Sequence, residues 1–244
     1  IERNHIRAWI IELSDSGLEN KTINRKISSL KSFFKFLMMK EVIDVNPSVG
    51  VVIPKTKKRL PDFVPEKDLD KANDFKVSKD THPRTRAIIE LFYQTGIRLS
   101  ELIDLKISDV KKNEIKVLGK RNKERIIPIS DQLHQELMNW LEFAQKNISI
   151  LENDFLFLTD KGNKLYPQFV YRLVHKYLSA ATTISKKSPH VLRHTFATHM
   201  LNNGAEINAI KEILGHSNLS STQVYTHTTI DRLKSVYKKA HNRK

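Results

Sequence analysis

Glu114-Ile115-Lys116-Val117-Leu118-Gly119-Lys120-Arg121-Asn122-Lys123-Glu124-Arg125-Ile126-Ile127-Pro128-Ile129 is the stretch that sets the architecture of this chain. Its two ends, Glu114–Leu118 and Glu124–Ile129, alternate or run apolar and are rich in β-branched residues. Its centre, Gly119–Lys123, is polar and cationic. Two such runs around a short glycine-containing segment predict a β-hairpin. Outward from it, helical spacing dominates. Arg84–Tyr93, Ser100–Leu105, Gln132–Gln145, Pro167–Ala180, Pro189–Asn202, Glu206–Leu214 and Ile230–His241 all read as helices, and Asn203-Gly204 is a stop signal. Phe155–Thr159 reads as a short strand. The expected fold is mainly α with a small antiparallel β-sheet.

The N-terminal part is helical throughout. Trp9, Ile10 and Leu13 follow Ile6 on one face. Ile23, Ile27, Leu30, Phe33, Phe34 and Leu37 form a second amphipathic series. The opposite face of that series carries Lys21, Arg25, Lys26, Lys31 and Lys35, which suits either a solvated surface or phosphate contact. Asn46-Pro47 breaks the pattern. Pro54-Lys55-Thr56-Lys57-Lys58-Arg59-Leu60-Pro61 has proline at both ends, and each proline pushes its predecessor out of the helical region. This predicts an extended basic linker over 54–62, between a helical domain at 1–53 and a larger domain at 63–244. Lys55, Lys57, Lys58 and Arg59 are placed to follow a phosphate backbone.

Composition narrows the function. The 244 residues include 42 Lys+Arg and 27 Asp+Glu, a formal charge of +15. That excess points to a polyanion, nucleic acid first and an anionic membrane surface second. The absence of cysteine excludes disulfides, thiolate zinc sites, iron–sulfur clusters and thiol nucleophiles. No apolar run approaches the ~18–20 residues of a membrane span. The expected location is the cytoplasm, at the nucleoid. The chain begins at Ile1, so a trimmed N-terminus is expected.

Four clusters carry candidate chemistry. In Thr95-Gly96-Ile97-Arg98-Leu99-Ser100-Glu101-Leu102, Gly96 permits a kink from which Arg98 projects; Glu101 is its natural ion-pair partner. The cationic turn around Lys120 could present a mobile acid. In Ser188-Pro189-His190-Val191-Leu192-Arg193-His194-Thr195, His190 and Arg193 share a helical face and suit a phosphate. His190 and His194 also have the i, i+4 spacing of zinc ligands, but Val191 stands where a metalloprotease helix needs Glu. In Leu214-Gly215-His216 through Tyr225-Thr226-His227, a histidine follows a helix-ending glycine, and Tyr225 lies in a polar segment able to expose its hydroxyl.

TGIRLSEL, VLGKRNKERIIPI, HVLRHTFATHML and LGHSNLSSTQVYTH, in this order, resemble the catalytic boxes of tyrosine site-specific recombinases of the phage integrase family, the Xer type above all. TINRKISSLKSFFKFL is similar to the later part of that family's helical core-binding domain. The resemblance implies a core-binding domain, shortened at its N-terminus, ahead of a mixed α/β catalytic domain. Binding weaker than that of a full-length relative is therefore expected. The resemblance makes Arg98 and Arg193 the catalytic arginines, Lys120 the hairpin lysine, His190 the partner of Arg193, His216 the second histidine and Tyr225 the nucleophile. All six positions hold the expected residue types.

The implied reaction forms a 3′-phosphotyrosyl bond at Tyr225 and frees a 5′ hydroxyl, with neither metal, cofactor nor ATP. The implied partner is a double-stranded DNA core site, bound as a homotetramer by a chain that is a monomer or dimer when free. A second recombinase or an accessory protein is left open. The tail helix, with Leu233, Val236, Tyr237 and Ala240 in one stripe, is expected to dock on a neighbouring subunit. Integration or inversion of a mobile element would use the same chemistry. A non-catalytic DNA-binding protein and a metal-dependent phosphoesterase built on His190 and His194 are the other classes.

Overall fold

The computed structural model describes residues 1–56, 62–69, 82–119, 123–148, 154–215 and 227–241, excepting the side chains of 227–232. The chain divides into two compact units, Ile1–Leu60 and Pro61–Lys244.

The first unit is built on α1 (Arg3–Asp15) and α2 (Asn20–Met39). Ile23, Ile27 and Phe34, spaced by four and seven, are buried along α2. Ile6, Phe34 and Val51 centre a small apolar cluster completed by Ile10, Leu30, Leu37 and Ile43. The first turns of α2 also hold the returning chain. Asn20 Nδ2 donates to the Lys55 carbonyl and Asn24 Nδ2 to that of Pro54, each at 2.9 Å.

The second unit surrounds α3 (Pro83–Thr95), which is buried at every position from Ala87 to Thr95 and so forms a central helix. It packs against α5 (Asp131–Asn147) and α7 (Pro189–Asn202). A short α4 (Leu99–Asp104) follows α3 directly. The sheet has the antiparallel order β1 (Val110–Lys111), β2 (Glu114–Leu118), β3 (Glu124–Pro128). Ile115 pairs with Ile127 and Val117 with Arg125, and all four are buried. The hairpin is closed at its base by Gly119 N–H donating to the Lys123 carbonyl at 2.8 Å. Along α5, Leu133, Leu137, Trp140 and Ala144 recur at helical spacing and are buried.

Phe155–Thr159 is not a strand. It makes two isolated bridges, Lys106 with Phe155 and Leu158 with Lys164. Leu156, Phe157 and Leu158 are buried nonetheless, and Trp140 Nε1 donates to the Leu156 carbonyl at 2.8 Å. The apolar run therefore marks burial and not ladder formation.

Also in this unit are the helices α6 (Pro167–Ala181), α8 (Ile207–Leu214) and α9 (His227–Ala240). Within this single chain α9 lies against α7, α8 and β3 of its own unit. Leu233, Tyr237 and Ala240 are buried there. Tyr237 donates to Gln94 Oε1 at 3.2 Å, and Lys234 Nζ lies 3.0 Å from Glu114 Oε2. The stripe expected to meet a neighbour is thus covered by the chain itself. Among the described residues no helix is long and apolar enough to cross a membrane.

Candidate active site

The site begins where α3 must stop. Gly96 has φ +59°, a left-handed conformation that suits glycine. Ile97 is buried, and Arg98 then takes the extended N-cap position of α4. Its N–H donates to Glu101 Oε2 at 2.7 Å, its Nη1 to Glu101 Oε1 at 2.7 Å, and its Nη2 to the Gly215 carbonyl at 2.8 Å. Glu101 thus caps the helix start and pairs with the arginine at once.

Arg193 enters from the second turn of α7 (Pro189–Asn202). Its Nη1 donates to the Gly96 carbonyl and its Nη2 to that of Leu214, the latter at 2.8 Å. Arg125 enters from β3. Its Nε donates to the Ile213 carbonyl, and its Nη1 and Nη2 form a fork on Glu101 Oε1 and Oε2, all at 2.8 Å. Three consecutive carbonyls at the end of α8, those of Ile213, Leu214 and Gly215, therefore each accept from a different arginine. A helix C-terminus carries partial negative charge and favours cations.

The electrostatics follow from this packing. Burial alone would raise the Glu101 carboxyl, but hydrogen bonds and charge from Arg125, then from Arg98, hold it down at about 2. Burial, and next the charge of Arg98, push Arg193 down to about 10, with Glu101 opposing. Arg193 thus remains a cation at neutral pH. Three guanidinium groups stand near one carboxylate, which only Arg98 and Arg125 hydrogen-bond, and this leaves a local positive excess suited to an anionic ligand.

Similarity to known proteins agrees with this geometry. The phage integrase family pattern matches residues 62–232, and the N-terminal SAM-like domain pattern of phage integrases matches residues 1–41. A tyrosine recombinase XerC of Chlorobaculum tepidum is 38% identical, over 100% of this chain and 80% of its own length. A tyrosine recombinase XerD of Oceanobacillus iheyensis is 36% identical, over 100% and 83%. The chain belongs to the phage integrase family. It is an Xer-like tyrosine recombinase, an enzyme that cleaves and rejoins DNA in site-specific recombination. Two solved recombinases share the fold. The XerH recombinase bound to palindromic difH substrate in a post-cleavage complex has a TM-score of 0.76 at 22% identity, covering 96% of this chain and 71% of that one. The XerA recombinase has a TM-score of 0.59 at 27% identity, covering 100% and 85%.

The recombinase brings Arg98 and Arg193 together at the end of α8. His190 is exposed on the first turn of α7, three residues before Arg193. His194 is half-buried, with Nε2 3.5 Å from Thr198 Oγ1 of the same helix. Among the described residues no three His, Asp or Glu side chains are grouped to hold a metal ion. Lys120, His216 and Tyr225 lie outside the described residues, as do Lys57, Lys58 and Arg59. Arg25, Lys26 and Lys55 are exposed, and Lys31 is half-buried. Arg25 and Lys26 join Trp9, Ser29, Leu30 and Phe33 around a shallow groove of about 490 Å³ in the first unit. The residue that sequence reading of the recombinase missed is Arg125. Its place beside a cationic turn reads as surface, although its pairing opposite Val117 places it on the buried face.

Proposed function

We propose that this recombinase cleaves DNA by attack of the Tyr225 hydroxyl on a backbone phosphorus. The Tyr225 O–P bond forms and the bond from phosphorus to the 5′ oxygen breaks. His190 takes the tyrosine proton, which is needed because a free phenol loses it only near pH ~10. Lys120 gives a proton to the departing 5′ oxygen. Arg98 and Arg193 receive the negative charge that grows on the non-bridging oxygens, and His216 donates to the same phosphate. The phosphotyrosyl bond keeps the phosphoester energy, so a 5′ hydroxyl from another strand restores the DNA backbone.

The observation that supports this reading most is the convergence of Arg98 and Arg193 on the Gly215 and Leu214 carbonyls. Gly215 directly precedes His216, so both arginines are fixed where the segment leading to Tyr225 begins. The partner in this reading is a double-stranded core site in the cytoplasm, at the nucleoid. Residues 1–53 and the linker over 54–62 hold the duplex, with Arg25, Lys26, Lys31, Lys55, Lys57, Lys58 and Arg59 on phosphates. Four copies assemble on paired sites.

A nicked suicide duplex tests the chemistry. It is drawn from a randomised-core library by its ability to form a covalent adduct with the chain. The adduct is expected from the wild type and not from Tyr225→Phe. An adduct that persists in Tyr225→Phe would refute Tyr225 as the nucleophile. Salt-sensitive binding without any adduct would favour a non-catalytic DNA-binding protein.

A further inference from the structure

Arg125 is the one buried guanidinium of the three at the end of α8, with its side chain 4% exposed. A phosphate in solution has no path to it comparable to that of Arg98, whose side chain is 26% exposed. All three of its nitrogens nevertheless donate hydrogen bonds within the site. Its surroundings are equally specific. A Cβ on Gly215 would lie 3.2 Å from Arg125 Cδ and Nη1, and one on Gly119 would lie 3.6 Å from Nη1. Arg125 therefore stands beside Gly119, the residue before Lys120, and Gly215, the residue before His216, and it bonds the carboxylate that holds Arg98.

We propose that Arg125 is a positioning residue for strand cleavage, acting through Glu101 on Arg98 and through the Ile213 carbonyl on the end of α8. The inference rests on the catalytic reading of Arg98 given above. Two physical effects combine. The fork from Arg125 fixes the plane of the Glu101 carboxylate, so that its remaining lone pairs meet the Arg98 N–H and Nη1 in one geometry. Arg125 also divides the charge of Glu101. With Arg125 present, one carboxylate serves two cations, and Arg98 retains positive potential for the phosphate. Without it, Arg98 and Glu101 become a neutral pair, and attraction for charge developing in the transition state falls. Misplacement on a small scale is enough to slow such a step about a hundredfold.

Arg125→Lys and Arg125→Met test the role in the full chain. Lysine keeps the charge and loses the fork; methionine loses both. The probe is the nicked duplex chosen with the wild-type chain. Single-turnover cleavage at saturating protein, DNA Kd and thermal melting are measured in parallel. The expected result is cleavage slowed ~10-fold in the Lys variant and ~100-fold in the Met variant, with Kd within about threefold of wild type. Where the Met variant loses its cooperative melt because the buried fork on Glu101 and the bond to Ile213 are gone, the Lys variant decides. Wild-type cleavage by either folded variant overturns the proposal. So does a rate loss matched by an equal loss of DNA affinity, which is the mark of a merely structural residue. An absent wild-type adduct overturns the catalytic reading and this proposal together, whereas a normal wild-type adduct with an unaffected Arg125 variant overturns the proposal alone.

Discussion

Gly96 and Phe196 meet so closely that a Cβ on Gly96 would stand 2.6 Å from Phe196 Cδ1, and equally near Leu214 Cδ2. The same residue is left-handed, with φ +59°. Gly96→Ala therefore carries both backbone strain and overpacking. Together these are expected to cost about 2–4 kcal/mol. A urea melt of the variant checks this, and an unchanged midpoint contradicts it.

Glu101 gives the fold an acid-sensitive contribution. Its ordinary value of 4.5 falls to about 2 in the folded chain. As pH drops, the unfolded chain takes up this proton first. The contribution is complete above about 4.5 and disappears progressively down to about 2. Its size is on the order of 3 kcal/mol. Glu101→Gln is expected to lose this pH dependence and to be less stable by about 3–5 kcal/mol at neutral pH, because Arg125 is left buried without a counter-charge. Denaturant unfolding across that pH range measures both. Parallel curves for the two proteins would count against the assignment.

Arg193 serves two carbonyls at rest and, in the proposed reaction, the phosphate. Arg193→Lys keeps a cation but loses the forked geometry. Single-turnover cleavage is expected to fall by about 10²–10³ with DNA affinity little changed. A loss confined to affinity would move Arg193 out of the reacting centre.

Arg25 and Lys26 flank an aromatic groove and stand exposed on α2. If each neutralises one phosphate, Arg25→Ala and Lys26→Ala should each flatten the log–log salt dependence of DNA binding by about 1. Titrations of binding against potassium chloride give the slopes. Unchanged slopes mean that these side chains face solvent in the complex.

Leu233 is 2% exposed where α9 meets the rest of its unit. Leu233→Ala is expected to weaken that contact by about 2–5 kcal/mol. Amide exchange along α9 should accelerate while α3 stays protected. Equal protection in both proteins would show that α9 is held by other contacts.

Much of this fold could be read along the chain because its signals are local. Pro189 and Asn203-Gly204 bracket α7, and its expected ends coincide with the observed ones. The hairpin strands were equally legible from their β-branched runs. β1 was not, since Val110 and Lys111 become a strand only by pairing with Ile115 and Glu114. Phe155–Thr159 misled because an apolar run looks the same whether it enters a ladder or is buried as single bridges. At the site, Arg98 and its partner Glu101 were visible at i, i+3. Arg125 was hidden, because its partners lie 24 and 88 residues away and a charged strand residue next to a cationic turn reads as surface.

The end of α8 has a consequence for timing. Three like charges would ordinarily drive one another apart, and here backbone oxygens and one carboxylate already accept their hydrogen bonds before any duplex arrives. The work of crowding cations is completed while the chain folds. In the proposed reaction, an incoming phosphate has only to exchange places with peptide oxygens as an acceptor, a swap of one ligand for another on a socket whose shape is already set.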